Sequence, residues 1–290
     1  MKDIQFFIKK TVYFISALIF TLSILIAFTN FNVKRNILKF ISKKEKSNFF
    51  LGDSHIQKAI VDSLLPNSAN ISQSGESFYF TYFKLKKLFS LGININQLFL
   101  GFSYHSLSNY YEDFIEGENS KFVAPKYFFL LPNKQKLWVL WSNKNNLGLF
   151  VLNIIKKGLN EYNFIGQYKN EFGNTKTNIE ITNKRLKLQY ANGERDISEL
   201  NSQYLFKIIQ LCKKENIPIT FIKTPLSPYY LKQIPNKFVN YYNEKTRNFG
   251  IQMVDLQLLN LGDNYFIPDG DHVSREGAIK VTEYLNGVME

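Results

Sequence analysis

Residues 49–65 read FFLGDSHIQKAIVDSLL. An apolar run of strand length, Phe49-Phe50-Leu51, stops at Gly52. Asp53 and Ser54 follow, then His55, and a helix-like stretch runs from Ile56 to Leu65. This order presents a serine at the carboxyl end of a buried strand. A second polar cluster, Asp269-Gly270-Asp271-His272, precedes a helix-like close from Ser274 to Leu285. Serine, carboxylate and imidazole so far apart in sequence work together only if the fold reunites them.

The intervening pattern predicts such a fold. Strand-length apolar runs recur at Ala69 to Ser72, Gln97 to Ser103, Pro218 to Lys223 and Ile251 to Leu256. Helical patterns at Phe78 to Leu91, Ser198 to Glu215 and Lys237 to Asn248 separate them. Alternation of this kind predicts a mainly parallel sheet covered on both faces, with right-handed crossovers. Function then gathers at the carboxyl ends of the strands. Ser54, Gly75, Ser103, Thr224 and His272 all fall there or in the loops that follow.

Residues 109–196 break the alternation. They carry both tryptophans, Trp138 and Trp141, a helical stretch near Leu147 to Ile155, and an expected hairpin of Asn178 to Ile181 with Leu186 to Tyr190 around Thr182-Asn183-Lys184. Polar Ser142 to Asn146 argues against a second membrane span. The segment reads as an insertion over the strand ends, a cap or a docking surface.

Between Lys10 and Lys34 no residue is charged, and Thr11 to Thr29 is apolar all round. A helix of that length crosses a hydrocarbon core of about 30 Å. Ala27-Phe28-Thr29 is a poor cleavage site, so an uncleaved signal anchor is expected. Residues 1–46 are therefore assigned as anchor plus basic juxtamembrane segment, and 47–290 as the soluble domain. Lysines stand on both sides of the span (Lys2, Lys9 and Lys10; Lys34, Lys39, Lys43, Lys44 and Lys46, with Arg35), so charge alone leaves orientation open. The stretch from Asn30 to Lys46 also reads as a basic helix against lipid headgroups.

The balance of 36 Lys and Arg against 24 Asp and Glu gives +12. The basic residues are scattered, and no nucleic-acid module is present, so no nucleic-acid partner is expected. The single cysteine, Cys212, lies on a helical face with Tyr204, Ile208 and Ile209 and forms no internal disulfide. No C-x-x-C or H-E-x-x-H pairing suggests a zinc site, and neither metal nor cofactor is expected.

A serine hydroxyl needs a base to take its proton as it attacks. His272 is the candidate base, oriented by a carboxylate. Asp269 is preferred to Asp271, because three positions back in a turn returns to the same side, whereas neighbours in an extended segment diverge. Asp53 is expected to brace the loop. The Ser54 amide at a helix start and Gly75, where backbone approaches substrate closely, are candidate oxyanion donors.

Gly52-Asp53-Ser54, a glycine after the second strand and Asp269-x-x-His272 together resemble the SGNH/GDSL hydrolase superfamily over about residues 48–288. With the N-terminal span, the chain resembles the membrane-anchored branch that includes DltD-like and alginate-acetylation proteins. The resemblance implies a flavodoxin-like three-layer fold, Ser54 as nucleophile, His272 as base and Asp269 as its partner. It also implies an extracytoplasmic (periplasmic) domain on a single-pass inner-membrane anchor, acting on an acylated carbohydrate or envelope polymer, with a membrane-bound acyltransferase as a further partner. The family pattern Gly-x-Asn-Asp is replaced here by Gly101-Phe102-Ser103-Tyr104-His105. Ser103 stands in place of the Asn that completes the oxyanion hole, with His105 and Asn109 as other donors. His55, His105 and Asn109 are candidates for substrate contact. The plainer reading makes His55 a helix cap and His105 a packing residue.

The expected function is a serine esterase or O-acyltransferase working through acyl-Ser54. Two other readings stand beside it. One is an impaired accessory that binds glycan or the acyltransferase. The other is a metal-dependent phosphoesterase using Asp53, His55, His105, Asp269, Asp271 and His272.

Overall fold

The computed structural model describes residues 2–42, 47–159, 165–170 and 176–289. Five strands form one sheet: β1 (Asn48–Leu51), β2 (Ser68–Asn70), β3 (Gln97–Gly101), β4 (Ile219–Lys223) and β5 (Met253–Asp255). Their order is β2-β1-β3-β4-β5, and every pairing is parallel. Phe49 registers with Ala69 on one side and Leu98 on the other. This is the flavodoxin-like strand order, and its switch point lies between β1 and β3, where successive connections leave in opposite directions.

Strands buried on both faces must be apolar at successive positions, and these are. Phe49, Leu51, Leu98, Leu100 and Phe221 face one core, which α3 (Phe78–Ser90) and α8 (Glu199–Lys214) cover. Phe50, Phe99, Ile222 and Val254 face the other, closed by Ile56 of α2 (Ser54–Ala59) and Ala278, Val281 and Leu285 of α11 (Arg275–Met289). Phe50 and Phe99 stack with centroids 4.6 Å apart. A side chain buried this fully contributes about 1.5–3 kcal/mol. Cys212 is buried on the α8 face with Tyr204 and Ile208.

The segment between β3 and α8 holds 3₁₀ turns, a short α4 (Ser120–Val123), α5 (Asn133–Ser142), α6 (Leu147–Leu159) and α7 (Ile179–Tyr190). The expected hairpin is incorrect: its residues are α7. Asn178 caps the helix by accepting from the Ile181 amide, and Ala191 closes it in the left-handed conformation. Buried Thr182, Leu186, Gln189 and Tyr190 recur at helical spacing. Ile179, Ile181 and Leu188, which create the strand-like alternation, are exposed, and burial follows the helical period instead. α9 (Pro228–Lys232) and α10 (Asn236–Phe249) complete the sheet's surroundings.

The N-terminal helix α1 (Lys2–Ser42) is long and apolar enough to cross a membrane, and continues beyond the apolar stretch. From Thr29 onward one stripe, Thr29, Val33 and Ile37, is buried against the domain, where α1 meets α6. Lys43, Lys44 and Lys46, part of the expected basic juxtamembrane segment, lie outside the described residues.

Candidate active site

β1 ends at Leu51, and Gly52 turns the chain with φ +149°, a conformation that disfavours any side chain. A Cβ there would stand 2.9 Å from Ile56 Cγ1, so glycine lets α2 begin close against the strand. Asp53 is the N-cap, its Oδ1 accepting from the His55 amide at 2.9 Å. Ser54 is therefore held at the first position of α2, at the switch point of the sheet.

The return of the chain to this point places His272 beside it. The Ser54 hydroxyl donates to His272 Nε2 at 2.7 Å, and His272 Nδ1 donates to Asp269 Oδ2 at 2.7 Å. Asp269 Oδ1 accepts from the amides of Asp271 and His272 at 3.0 and 3.1 Å, which fixes the carboxylate behind the ring. Asp271 Oδ2 lies 4.0 Å from the same Nδ1. Gly270 makes the turn with φ +63°; a Cβ on it would meet Ser227 Oγ at 2.6 Å. Burial pushes His272 down to about 4, against the opposing pull of Asp269. The imidazole is thus neutral at ordinary pH and free to accept a proton.

A second layer of ionic contacts lies behind this chain. Asp271 pairs with Arg185 (Nε to Oδ2, 2.5 Å), accepts from Gln189 Nε2 at 2.9 Å, and stands 3.1 Å from His55 Nε2. His55 stacks on His105 with centroids 4.0 Å apart, and its Nδ1 lies 3.3 Å from Thr224 Oγ1. His105 Nε2 donates to Asp53 Oδ2 at 2.8 Å, and the Tyr111 hydroxyl donates to the same oxygen. Burial alone would raise both carboxyls. His55 and Arg185 hold Asp271 well below the usual range, and His55 and His105 do the same for Asp53. Burial lowers both imidazoles. For His55 the flanking Asp271 and Asp53 prevail and raise it; for His105 burial and the neighbouring His55 prevail. The layer is thus a network of two carboxylates, two imidazoles and a guanidinium on which Ser54 and His272 rest. His55 and His105 are buried in it, each facing a carboxylate. Asn109 turns away toward Arg195, accepting from Nη1 at 3.4 Å.

The loop after β2 forms another wall. Gln73 donates its amide to the Gly52 carbonyl at 3.0 Å, Ser74 binds Gln57 Oε1, and Lys126 Nζ donates to the Ser74 carbonyl at 3.0 Å. Gly75 has φ +78°. Among the described residues, neither the Gly75 nor the Ser54 amide has an intramolecular acceptor. The Ser103 amide is taken by Ser106 Oγ at 3.0 Å. Lys84, fully buried, bonds the Glu76 carboxylate and donates to the carbonyls of Ile71 and Ile165, each at 2.7 Å. Burial drives this pair toward neutrality, Glu76 up to about 7 and Lys84 down.

Two groupings bring three ligand-type atoms within 4.8 Å: Asp53, His55 and His105, and His55, Asp271 and His272. Imidazole lone pairs lie in the ring plane. The rings of His55 and His105 are stacked within 23° of parallel, so their nitrogens do not converge on a point about 2.0–2.1 Å from both. In the second grouping both His272 nitrogens are engaged, by Ser54 and Asp269. Arg185, Gln189, Tyr111 and Lys84 are the site residues that motif reading misses. The spacing of Arg185 and Gln189, four residues apart on one face of α7, is the signal for two of them.

The strand order, the serine following β1 and the Asp-x-x-His before the last helix define the architecture. The chain has an SGNH/GDSL hydrolase-like fold. No protein-family model matches the sequence, and no curated protein matches it. Among solved structures, the chain is similar to a protein assigned as a platelet activating factor from Streptococcus pneumonia, with TM-score 0.44 and 12% identity over 96% of this chain and 99% of that one. A protein assigned as an acylhydrolase from Bacteroides fragilis aligns with TM-score 0.40 and 12% identity over 85% and 87% of the two chains. A GDSL-like lipase from Bacteroides thetaiotaomicron gives TM-score 0.40 and 12% identity over 90% and 97%. Likeness at this level decides nothing about activity; the side-chain geometry has to.

Proposed function

We propose that the protein is a membrane-anchored serine esterase or O-acyltransferase that works through an acyl-Ser54 intermediate. The observation that carries the reading is the unbroken chain from Ser54 Oγ through His272 to Asp269. His272 removes the hydroxyl proton as Oγ attacks an ester carbonyl, and Asp269 holds the ring with Nδ1 protonated and steadies the imidazolium. The oxyanion is met by the Ser54 and Gly75 amides, with the Ser103 hydroxyl in the place of the family's Asn. Collapse expels the alcohol, which takes its proton from His272 Nε2. Water or an acceptor hydroxyl, deprotonated by the same nitrogen, then releases the acyl group.

The substrate class follows from the anchor and the resemblance to envelope-acylating proteins: an acylated glycan or polymer outside the cytoplasm, with α1 holding the domain at the membrane. A serine-directed fluorophosphonate added to membranes carrying the full chain is expected to label it. Ser54→Ala and His272→Ala are expected to abolish labelling. Absence of labelling in the folded wild-type chain would overturn the proposal and leave the accessory reading. Protease access from outside spheroplasts tests the orientation.

A further inference from the structure

The surface of α5 and α6 carries a feature that the chemistry at Ser54 does not use. Leu137 and Trp141, one helical turn apart on α5, are 68% and 70% exposed. On α6, Leu149 and Leu152 are 41% and 58% exposed. Single exposed apolar side chains are ordinary, but a group of them on consecutive helices is the composition of a surface that something covers.

Three further observations point to what covers it. First, between Asn119 and Leu159 the sequence has seven lysines and no aspartate or glutamate. Second, α6 packs on the part of α1 just beyond its exposed apolar length, where Val33 and Ile37 are buried. α5 and α6 thus sit where α1 leaves its apolar stretch. Third, a cleft of about 460 Å³ opens at that level, lined by Asn30 of α1, Lys86 and Lys87 of α3, and Asn133 and Lys136 of α5. None of these three lysines has a carboxylate partner among the described residues. Burial and the adjacent Lys87 push Lys136 down, a crowding of like charge that a bound anion relieves. Lys144 lies over the Trp141 ring at 4.8 Å, pairing a cation with an aromatic as interfacial residues do.

We propose that the α5–α6 surface is a second membrane contact, lying in the bilayer interface with Leu137, Trp141, Leu149 and Leu152 toward the acyl chains and with Lys86, Lys87 and Lys136 holding anionic phospholipid headgroups. Neither helix is long enough to span: they have 10 and 13 residues against the about 20 a span needs. They lie on the bilayer instead, so the domain is fixed to it at two places. A cluster of basic residues near a leaflet is drawn to anionic lipid. The inference rests on α1 spanning the membrane, which resistance of the full chain to carbonate extraction tests separately.

The decisive measurement uses full-length protein in bilayer nanodiscs of phosphatidylcholine, alone or mixed with phosphatidylglycerol, with and without brominated acyl chains. The chain has two tryptophans, neither on α1, and Trp138 packs against the core. Brominated lipid is expected to quench the emission, and Trp141→Phe is expected to remove most of that loss. Phosphatidylglycerol is expected to deepen the quenching, and the combined variant Lys86→Gln, Lys87→Gln and Lys136→Gln to abolish that increment. Quenching that is absent, or unchanged by Trp141→Phe, in extraction-resistant protein overturns the proposal. Trp141 that is shielded from aqueous quencher only in native membranes, and not by lipid alone, also overturns it and assigns the surface to a protein partner.

Discussion

The carboxylate of Asp271 meets the guanidinium of Arg185, not the imidazole of the adjoining His272. Two aspartates separated by one glycine thus serve different partners: Asp269 orients His272, and Asp271 ties the same loop to α7. The two should fail differently. Asp269→Asn is expected to lower kcat by about 10⁴ through loss of the correct tautomer, with the melting temperature nearly unchanged. Asp271→Asn strands Arg185 and His55 and is expected to cost about 3–5 kcal/mol of stability. Ester turnover and urea unfolding of both variants check the division. Equal loss of stability in the two would contradict it.

The pH profile should betray the burial of His272. Its neutral form is the base, and burial pushes the group down to about 4. The acid limb of kcat/KM is therefore expected near pH 4, whereas an unburied histidine would place it near 6.5. The same shift bears on stability. Folding binds the neutral form better, so the contribution is complete above the unfolded value near 6.5 and is lost as pH falls toward 4. A pH series of fluorophosphonate labelling rates, with unfolding followed in parallel, separates the two effects.

Ser103 follows β3, and the sequence resemblance sets it against the Asn of the Gly-x-Asn-Asp pattern. If its hydroxyl completes the oxyanion site, Ser103→Ala should lower kcat about 10²-fold with KM little changed, since a donor used only in the transition state is lost. Unchanged kcat would transfer the role to the two backbone amides.

Lys84→Met tests the wall behind Gly75. Removing the ammonium leaves Glu76 buried and the carbonyls of Ile71 and Ile165 without their donor. A loss of about 3–5 kcal/mol is expected in urea unfolding. Adding Glu76→Leu should recover only part of it, because the hydrogen bonds that the ammonium gives to the two carbonyls are still lost.

Much of this molecule is legible in its sequence, and the illegible part has a common cause. The five strands stand out because a sheet covered on both faces needs unbroken apolar runs, as Phe49-Phe50-Leu51 and Ile219 to Lys223 supply. The meeting of Ser54, Asp269 and His272 follows from where each sits relative to a strand end or a helix start. Residues whose burial depends on a distant charge are hidden. Lys84 stands in a run that looks solvated, Leu85-Lys86-Lys87 following it, and Glu76 with the carbonyls of Ile71 and Ile165 explains its position. α7 hides for the same reason. Its inward face carries Arg185 and Gln189, which read as polar until Asp271 is found opposite them, so the helical period in the hydrophobic pattern is diluted.

The grip of α7 on the loop at residues 268–272 restricts how the site can open. The Pro268 carbonyl accepts from the Asn178 amide, Asp271 is held by Arg185 and Gln189, and the Tyr230 hydroxyl locks Gln189 in turn. A hinged lid that swung α7 outward would drag His272 off Ser54 and disarm the serine at the moment of entry. Catalysis through His272 therefore requires this splint to stay in place, so a rigid α7 is a condition of the Ser54–His272 contact.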